Sequence, residues 1–216
     1  MTKKEKRERL SLIIERLAKL YPVSECALNY GADAWKLLVM GRLSAQCTDH
    51  RVNVVCEELF RVFPTAHDMA EADVERIEEI IKPCGLYRMK AANIKSASMR
   101  LVQHYGGVLP SDMEELLKFE GVGRKIANLL IGDVYGGEAI VCDTHCIRIC
   151  ARFGMYPERL KDPYKIEMIL RDLMDPALGS DFCHRIVNFG REICTARAPK
   201  CHECPLSDLC EKYLKG

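Results

Sequence analysis

Leu116-Leu117-Lys118-Phe119-Glu120-Gly121-Val122-Gly123-Arg124-Lys125-Ile126-Ala127 is the stretch whose reading decides the fold. Leu116, Leu117 and Phe119 recur at helical spacing, two glycines then flank one apolar residue, and an apolar helical pattern resumes at Ile126. Two helices joined by the hairpin Gly121-Val122-Gly123 are therefore expected. Where the glycines carry no side chain, backbone amides can approach a phosphate. Lys125 would then sit on the first turn of the second helix, beside any nucleic acid that the hairpin holds. Past the Gly136-Gly137 turn comes Val141-Cys142-Asp143-Thr144-His145. An amine and a carboxylate from separate segments are what attack on a sugar carbon through a stabilised cationic transition state requires.

Outward from this stretch the patterns stay helical. Pro110-Ser111-Asp112-Met113-Glu114 reads as a capping box of Ser111 with Glu114. Leu10, Ile13, Ile14, Leu17 and Leu20 predict an amphipathic N-terminal helix that ends before Pro22. An apolar run from Trp35 to Leu43 leads into the polar patch Ser44-Ala45-Gln46-Cys47-Thr48-Asp49. There Thr48 or Asp49 could cap a helix carrying Val52, Val55, Leu59 and Val62. Val74, Ile77, Ile80 and Ile81 mark another helix, stopped by Pro83-Cys84-Gly85-Leu86-Tyr87, a turn with an exposed leucine. A further helix is expected over about residues 90–104. Asp143 is placed to cap the next one, and Ser180 or Asp181 a later one. Only Ala139 to Val141 looks extended, so the fold class is all α.

The chain has 216 residues, 48% of them hydrophobic, enough for a packed core in one large or two small domains. No segment reaches 18 uninterrupted apolar residues and the start Met1-Thr2-Lys3-Lys4 has no apolar signal core behind it, so a soluble cytoplasmic protein is expected, with no membrane association. A net charge of +1 gives no global sign of nucleic-acid binding. Its distribution is uneven. Lys82, Arg88, Lys90, Lys95 and Arg100 fall in a stretch without acidic residues, whereas the segment from His67 to Glu79 is strongly acidic; two oppositely charged solvated faces would account for both.

Of twelve cysteines, Cys194, Cys201, Cys204 and Cys210 crowd the last 23 residues. In a reducing compartment four thiolates this close can surround one metal centre. Structural zinc usually shows two short Cys pairs and this run has one, so spacing leaves zinc open and leans slightly toward an iron–sulfur cluster. Cys142, Cys146 and Cys150 fall four apart, as small buried thiols on one helix face do, and are given no ligand role.

Together, the hairpin with its lysine, the Asp-Thr-His that follows and the four-cysteine run resemble the endonuclease III family, bifunctional glycosylases and abasic-site lyases of the helix-hairpin-helix superfamily. The resemblance runs from Ser44-Ala45-Gln46 through Gly85-Leu86-Tyr87 and the hairpin to the last cysteine. It implies that Lys125 is the nucleophile, Asp143 the catalytic carboxylate, and Cys194, Cys201, Cys204 and Cys210 the ligands of a 4Fe-4S cluster. Gln46 and Leu86 would enter a duplex where a damaged base leaves, while Gly121, Val122 and Gly123, with Arg197 and Lys200 of the first cysteine loop, would contact DNA. It further implies removal of oxidised pyrimidines from duplex DNA, a monomer, and in a bacterium a place near the nucleoid. Two helical domains are implied: residues 25–137, a six-helix domain with the motif at 116–130, and residues 1–24 with 138–216, holding the cluster loop 194–210. Glu120, Ile126, Glu138 and Cys142 depart from the family's usual residues. A glycosylase without lyase activity and a metal-stabilised DNA-binding module are the rival readings; in both, Lys125 forms no covalent bond.

Overall fold

The computed structural model describes residues 1–215, and all regular structure among them is helical. In chain order the α-helices are α1 (Lys3–Leu20), α2 (Ala34–Leu43), α3 (Asp49–Val62), α4 (Ala66–Glu71), α5 (Val74–Ile81) and α6 (Tyr87–Tyr105). They continue as α7 (Met113–Leu116), α8 (Arg124–Asp133), α9 (Thr144–Arg152), α10 (Pro163–Leu173), α11 (Gly179–Glu192) and α12 (Glu211–Lys215). The chain divides into two compact units, Cys26–Gly136 and Met1–Glu25 with Gly137–Gly216.

The continuous unit holds α2 to α8, or six helices if the four-residue α7 is counted with its loop. Its centre is α2, where the consecutive residues Leu37, Leu38, Val39 and Met40 are all buried, as only a helix enclosed on every side permits. Trp35 on the same helix is buried and donates from Nε1 to Ser98 Oγ of α6 at 3.0 Å, so its one polar atom is satisfied. Around α2 pack Val52, Val55 and Leu59 of α3, Ile77 and Ile81 of α5, and Ala91, Ile94 and Leu101 of α6. Leu116, Phe119, Val122, Ala127 and Leu130 anchor the hairpin region in the same core, and the Phe119 ring lies 5.2 Å from that of Tyr105. Each of the larger side chains contributes roughly 1.5–3 kcal/mol by burial.

In the other unit, the N-terminal helix packs on α10 and α11 through the fully buried Leu10, Ile13 and Leu17. Its start is fixed by a Thr2–Glu5 capping box. At its far end Arg16 grips Asp208 with two bonds of 2.7 and 2.9 Å. Helices α9 and α11 approach so closely that a Cβ on Gly190 would fall 2.4 Å from His145 Nδ1. Phe153 stacks on Phe189 behind that contact, ring centres 6.2 Å apart.

Local details differ from the sequence reading. Asp112, not Ser111, caps α7: its carboxylate accepts from both Glu114 N and Glu115 N, at 2.9 and 3.0 Å. Helix α11 starts at Gly179 with Leu178 as N-cap rather than at Ser180 or Asp181, because a 3-10 turn over Pro176–Leu178, itself capped by Asp175, runs directly into it. Thr48 takes the cap of α3. Residues 139–141 are buried and carry no regular structure, and no strand forms among the described residues. Helix α10, which the sequence reading did not place, starts at Asp162-Pro163, an N-cap followed by proline at the first position.

Candidate active site

The hairpin begins at the end of α7's turn and closes with Val122 N donating to Phe119 O at 3.1 Å. Gly121 has φ +77°, and a Cβ there would meet Arg42 Nε at 2.6 Å, so both the conformation and the space demand glycine. Arg42 is held against the hairpin by donating through Nε and Nη2 to Asn93 Oδ1, at 3.0 and 2.8 Å. Gly123 is the N-cap of α8 and a Cβ on it would meet open space. Val122 is buried between the two exposed glycines, leaving the hairpin's backbone outermost. Lys125, second residue of α8, is exposed. Glu120 is exposed as well.

Two loops of the same unit carry Gln46 and Leu86. Both side chains are exposed, Leu86 at 51%, and both residues adopt left-handed backbone, with φ +57° for Gln46 and +49° for Leu86. Bulky residues avoid that region at a cost of about 1–3 kcal/mol each, and strain of this kind gathers at functional sites. The charge reading of the Lys82–Gly106 stretch is corrected here. Lys82 and Arg88 are exposed, but Lys90 is fully buried and Lys95 turns inward to donate to Ala72 O at 2.7 Å. No continuous basic face forms because two of the five cations satisfy main-chain carbonyls inside the unit.

Asp143 lies in the discontinuous unit. It is the N-cap of α9, its Oδ1 accepting from Cys146 N at 2.7 Å, and it remains partly exposed. Behind it the Cys146 thiol hydrogen-bonds with Cys142, Cys150 and Cys183; these contacts and complete burial hold it well above the usual thiol range. Farther along α9, two arginines seize the start of the cysteine loop. Arg148 Nη2 donates to Cys194 O at 3.0 Å. Arg152 donates to Cys194 Sγ at 3.1 Å, Thr195 O at 2.8 Å and Ala196 O at 3.1 Å.

Cys194, Cys201, Cys204 and Cys210 all line one cavity of about 330 Å³, with Arg152, Phe153 and Phe189 behind them. A mononuclear zinc needs sulfurs 2.3 Å from the metal and hence about 3.8 Å from one another. Among the described residues no three His, Cys, Asp or Glu side chains form a ready-made site for a single metal ion. Four soft donors spread around a roomy cavity fit a polynuclear cluster instead. Burial pushes the Cys204 and Cys210 thiols up. Arg197 and Lys200 are exposed on the Cys194–Cys201 loop.

A helical hairpin with an exposed lysine, a carboxylate-capped helix and a cysteine-lined cavity define a class. Residues 39–176 match the HhH-GPD superfamily of base excision DNA repair proteins, and residues 194–210, whose only cysteines are the four just described, match the iron-sulfur binding domain of endonuclease III. An endonuclease III of Synechocystis sp. is 41% identical over 95% of this chain and 93% of its own. A solved non-covalent endonuclease III–DNA complex superposes with a TM-score of 0.91 at 36% identity, covering 100% of this chain and 98% of that one. A trapped covalent endonuclease III–DNA intermediate gives the same values. The chain belongs to the endonuclease III family. It is a base-excision DNA glycosylase and abasic-site lyase, and its cofactor is a 4Fe-4S cluster.

Sequence reasoning missed the residues that hold the site in place: Arg42 behind the hairpin, Lys90 behind the two strained loops, and Arg152 behind the cysteine loop. Each acts mainly through main-chain or amide acceptors, which leave no motif.

Proposed function

We propose that this protein removes oxidised pyrimidines from duplex DNA and nicks the strand at the resulting site, with Lys125 as nucleophile. The observation that carries this reading is the exposed Lys125 on the first turn of α8, directly after a hairpin whose outermost atoms are backbone. A sugar carbon inside the base stack is out of reach, so the damaged nucleotide must leave the helix. Leu86 wedges into the duplex, and the Gln46 amide faces the orphaned partner base. The hairpin from Gly121 to Gly123 holds a phosphate through its amides and thereby sets the register.

The neutral Lys125 amine attacks the anomeric carbon. A carbon–nitrogen bond to the lysine forms while the glycosidic bond breaks, and the base leaves with the bonding pair and acquires a proton. The Asp143 carboxylate stabilises the cationic sugar of the transition state. The adduct opens to an imine, loss of a proton from the adjacent sugar carbon expels the 3′ phosphate, and water then frees the lysine. Cys194, Cys201, Cys204 and Cys210 hold the cluster. Bound there, it fastens the loop that presents Arg197 and Lys200 to phosphates. No helix among the described residues is long and apolar enough to cross a membrane. The proposed working form is a cytoplasmic monomer acting on DNA.

Duplexes with one ring-oxidised thymine test the reading: incision at that thymine is expected, and incision only at preformed abasic sites would remove the glycosylase half. Lys200→Ala is expected to lower the slope of log affinity against log salt by about 1, as loss of one phosphate contact does. An unchanged slope would place Lys200 off the DNA.

A further inference from the structure

Lys90 is a lysine with no access to solvent, and its three donors are all used. Nζ donates to Leu43 O, Ala45 O and Cys84 O, each at 2.8 Å. Leu43 is the last residue of α2, and Ala45 immediately precedes Gln46. Cys84 closes the 3-10 turn two residues before Leu86. The Lys90 backbone amide in turn donates to Leu86 O at 3.0 Å. One residue therefore clamps the two loops whose next exposed side chains are Gln46 and Leu86, both of which adopt left-handed backbone.

A cation is suited to this place. Leu43 O and Ala45 O lie at the C-terminal, negative end of α2, and Cys84 O ends a second helical turn, so the ammonium caps two helix termini at once. Burial lowers the tendency of Lys90 to hold its proton, the largest influence on it, while the Cys47 and Cys84 thiols beside it act the other way. A lysine hidden in a core is costly unless its donors are fully used. An apolar side chain would fill the space but leave three carbonyls without donors and the two loops unjoined.

We infer that Lys90 is a positioning residue for base extrusion: it sets the spacing of the Gln46 and Leu86 loops so that both side chains enter the duplex together. The inference rests on the proposed entry of Gln46 and Leu86 into DNA. Lys90 touches neither substrate nor cofactor in this role.

The experiment uses the full chain with its cluster and compares two single-turnover rates: excision from a duplex with one ring-oxidised thymine, and incision at a preformed abasic site, where little needs to be extruded. Lys90→Met is expected to slow excision by about tenfold to a hundredfold, the loss a misplacement of about 1 Å brings, and to leave abasic incision within about threefold. In a Gln46→Ala/Leu86→Ala background the same change should alter excision by no more than about twofold, because residues acting through one another are not additive. Lys90→Arg, which keeps the charge but cannot aim three donors at convergent carbonyls, should show the same pattern at smaller amplitude; it carries the test if Lys90→Met does not fold. Equal slowing of both rates, or an undiminished effect in the double-alanine background, would overturn the role of Lys90 alone. Should Gln46→Ala and Leu86→Ala themselves leave excision unchanged, the duplex-entry reading fails and the inference with it.

Discussion

Borohydride treatment of the Lys125→Gln protein with abasic DNA is expected to yield no covalent adduct, whereas the wild type is trapped as one species on a denaturing gel. The imine through which the hydride is captured requires a primary amine on the sugar carbon, and glutamine has none. Incision at abasic sites should fall by on the order of a thousandfold or more, since no partial nucleophile remains. DNA binding should survive. The hairpin amides around Val122 are untouched, Arg42 still buttresses Gly121, and the glutamine amide can donate to a phosphate. If the variant still traps DNA at the wild-type level, another amine is the nucleophile and the rival reading of Lys125 as a phosphate contact is the better one.

The places of the hairpin, Lys125, Asp143 and the four C-terminal cysteines in the fold were legible because each depends on residue type at fixed local spacing. A glycine at positive φ, an N-cap before an apolar helix and a Cys-x2-Cys pair carry their geometry within a few residues. Lys90 was illegible for the opposite reason. In sequence it is one of five cations in an acid-free stretch, and nothing local distinguishes it from the exposed Arg88 two residues earlier. Its acceptors are carbonyls of Leu43, Ala45 and Cys84, which any residue would supply. The thiols around α9 show the intermediate case. Their spacing of four placed Cys142, Cys146 and Cys150 on one helix face, but only Cys146 and Cys150 lie on α9 while Cys142 precedes its Asp143 cap, and Cys183 joins them only because α11 packs on α9.

Asp143→Asn separates the observed helix cap from the proposed stabilisation of the cationic sugar. Asparagine caps helices about as well as aspartate, so the bond from Cys146 N should persist and stability should change by less than about 0.5 kcal/mol. Excision should nevertheless slow by about 10²–10³-fold, or roughly 3–4 kcal/mol of transition-state stabilisation, if the carboxylate has the proposed role, because asparagine carries no negative charge. Thermal melting and single-turnover excision measured on the same preparation check this. A variant that melts well below wild type and loses activity in proportion would show that Asp143 serves only as a cap.

The union of both chain ends in one unit has a consequence for synthesis. Cys26–Gly136 is uninterrupted and can close its core around α2 as soon as it leaves the ribosome. Helix α1 emerges first yet finds the surfaces for Leu10, Ile13 and Leu17 only when α10 and α11 appear more than a hundred residues later. At ordinary elongation rates that is a delay on the order of ten seconds, during which an amphipathic helix has its apolar side open to whatever is nearby. The order of folding is thus the reverse of the order of translation for the first helix: it is made first and placed last, after the segment that will hold the iron has been threaded out behind it.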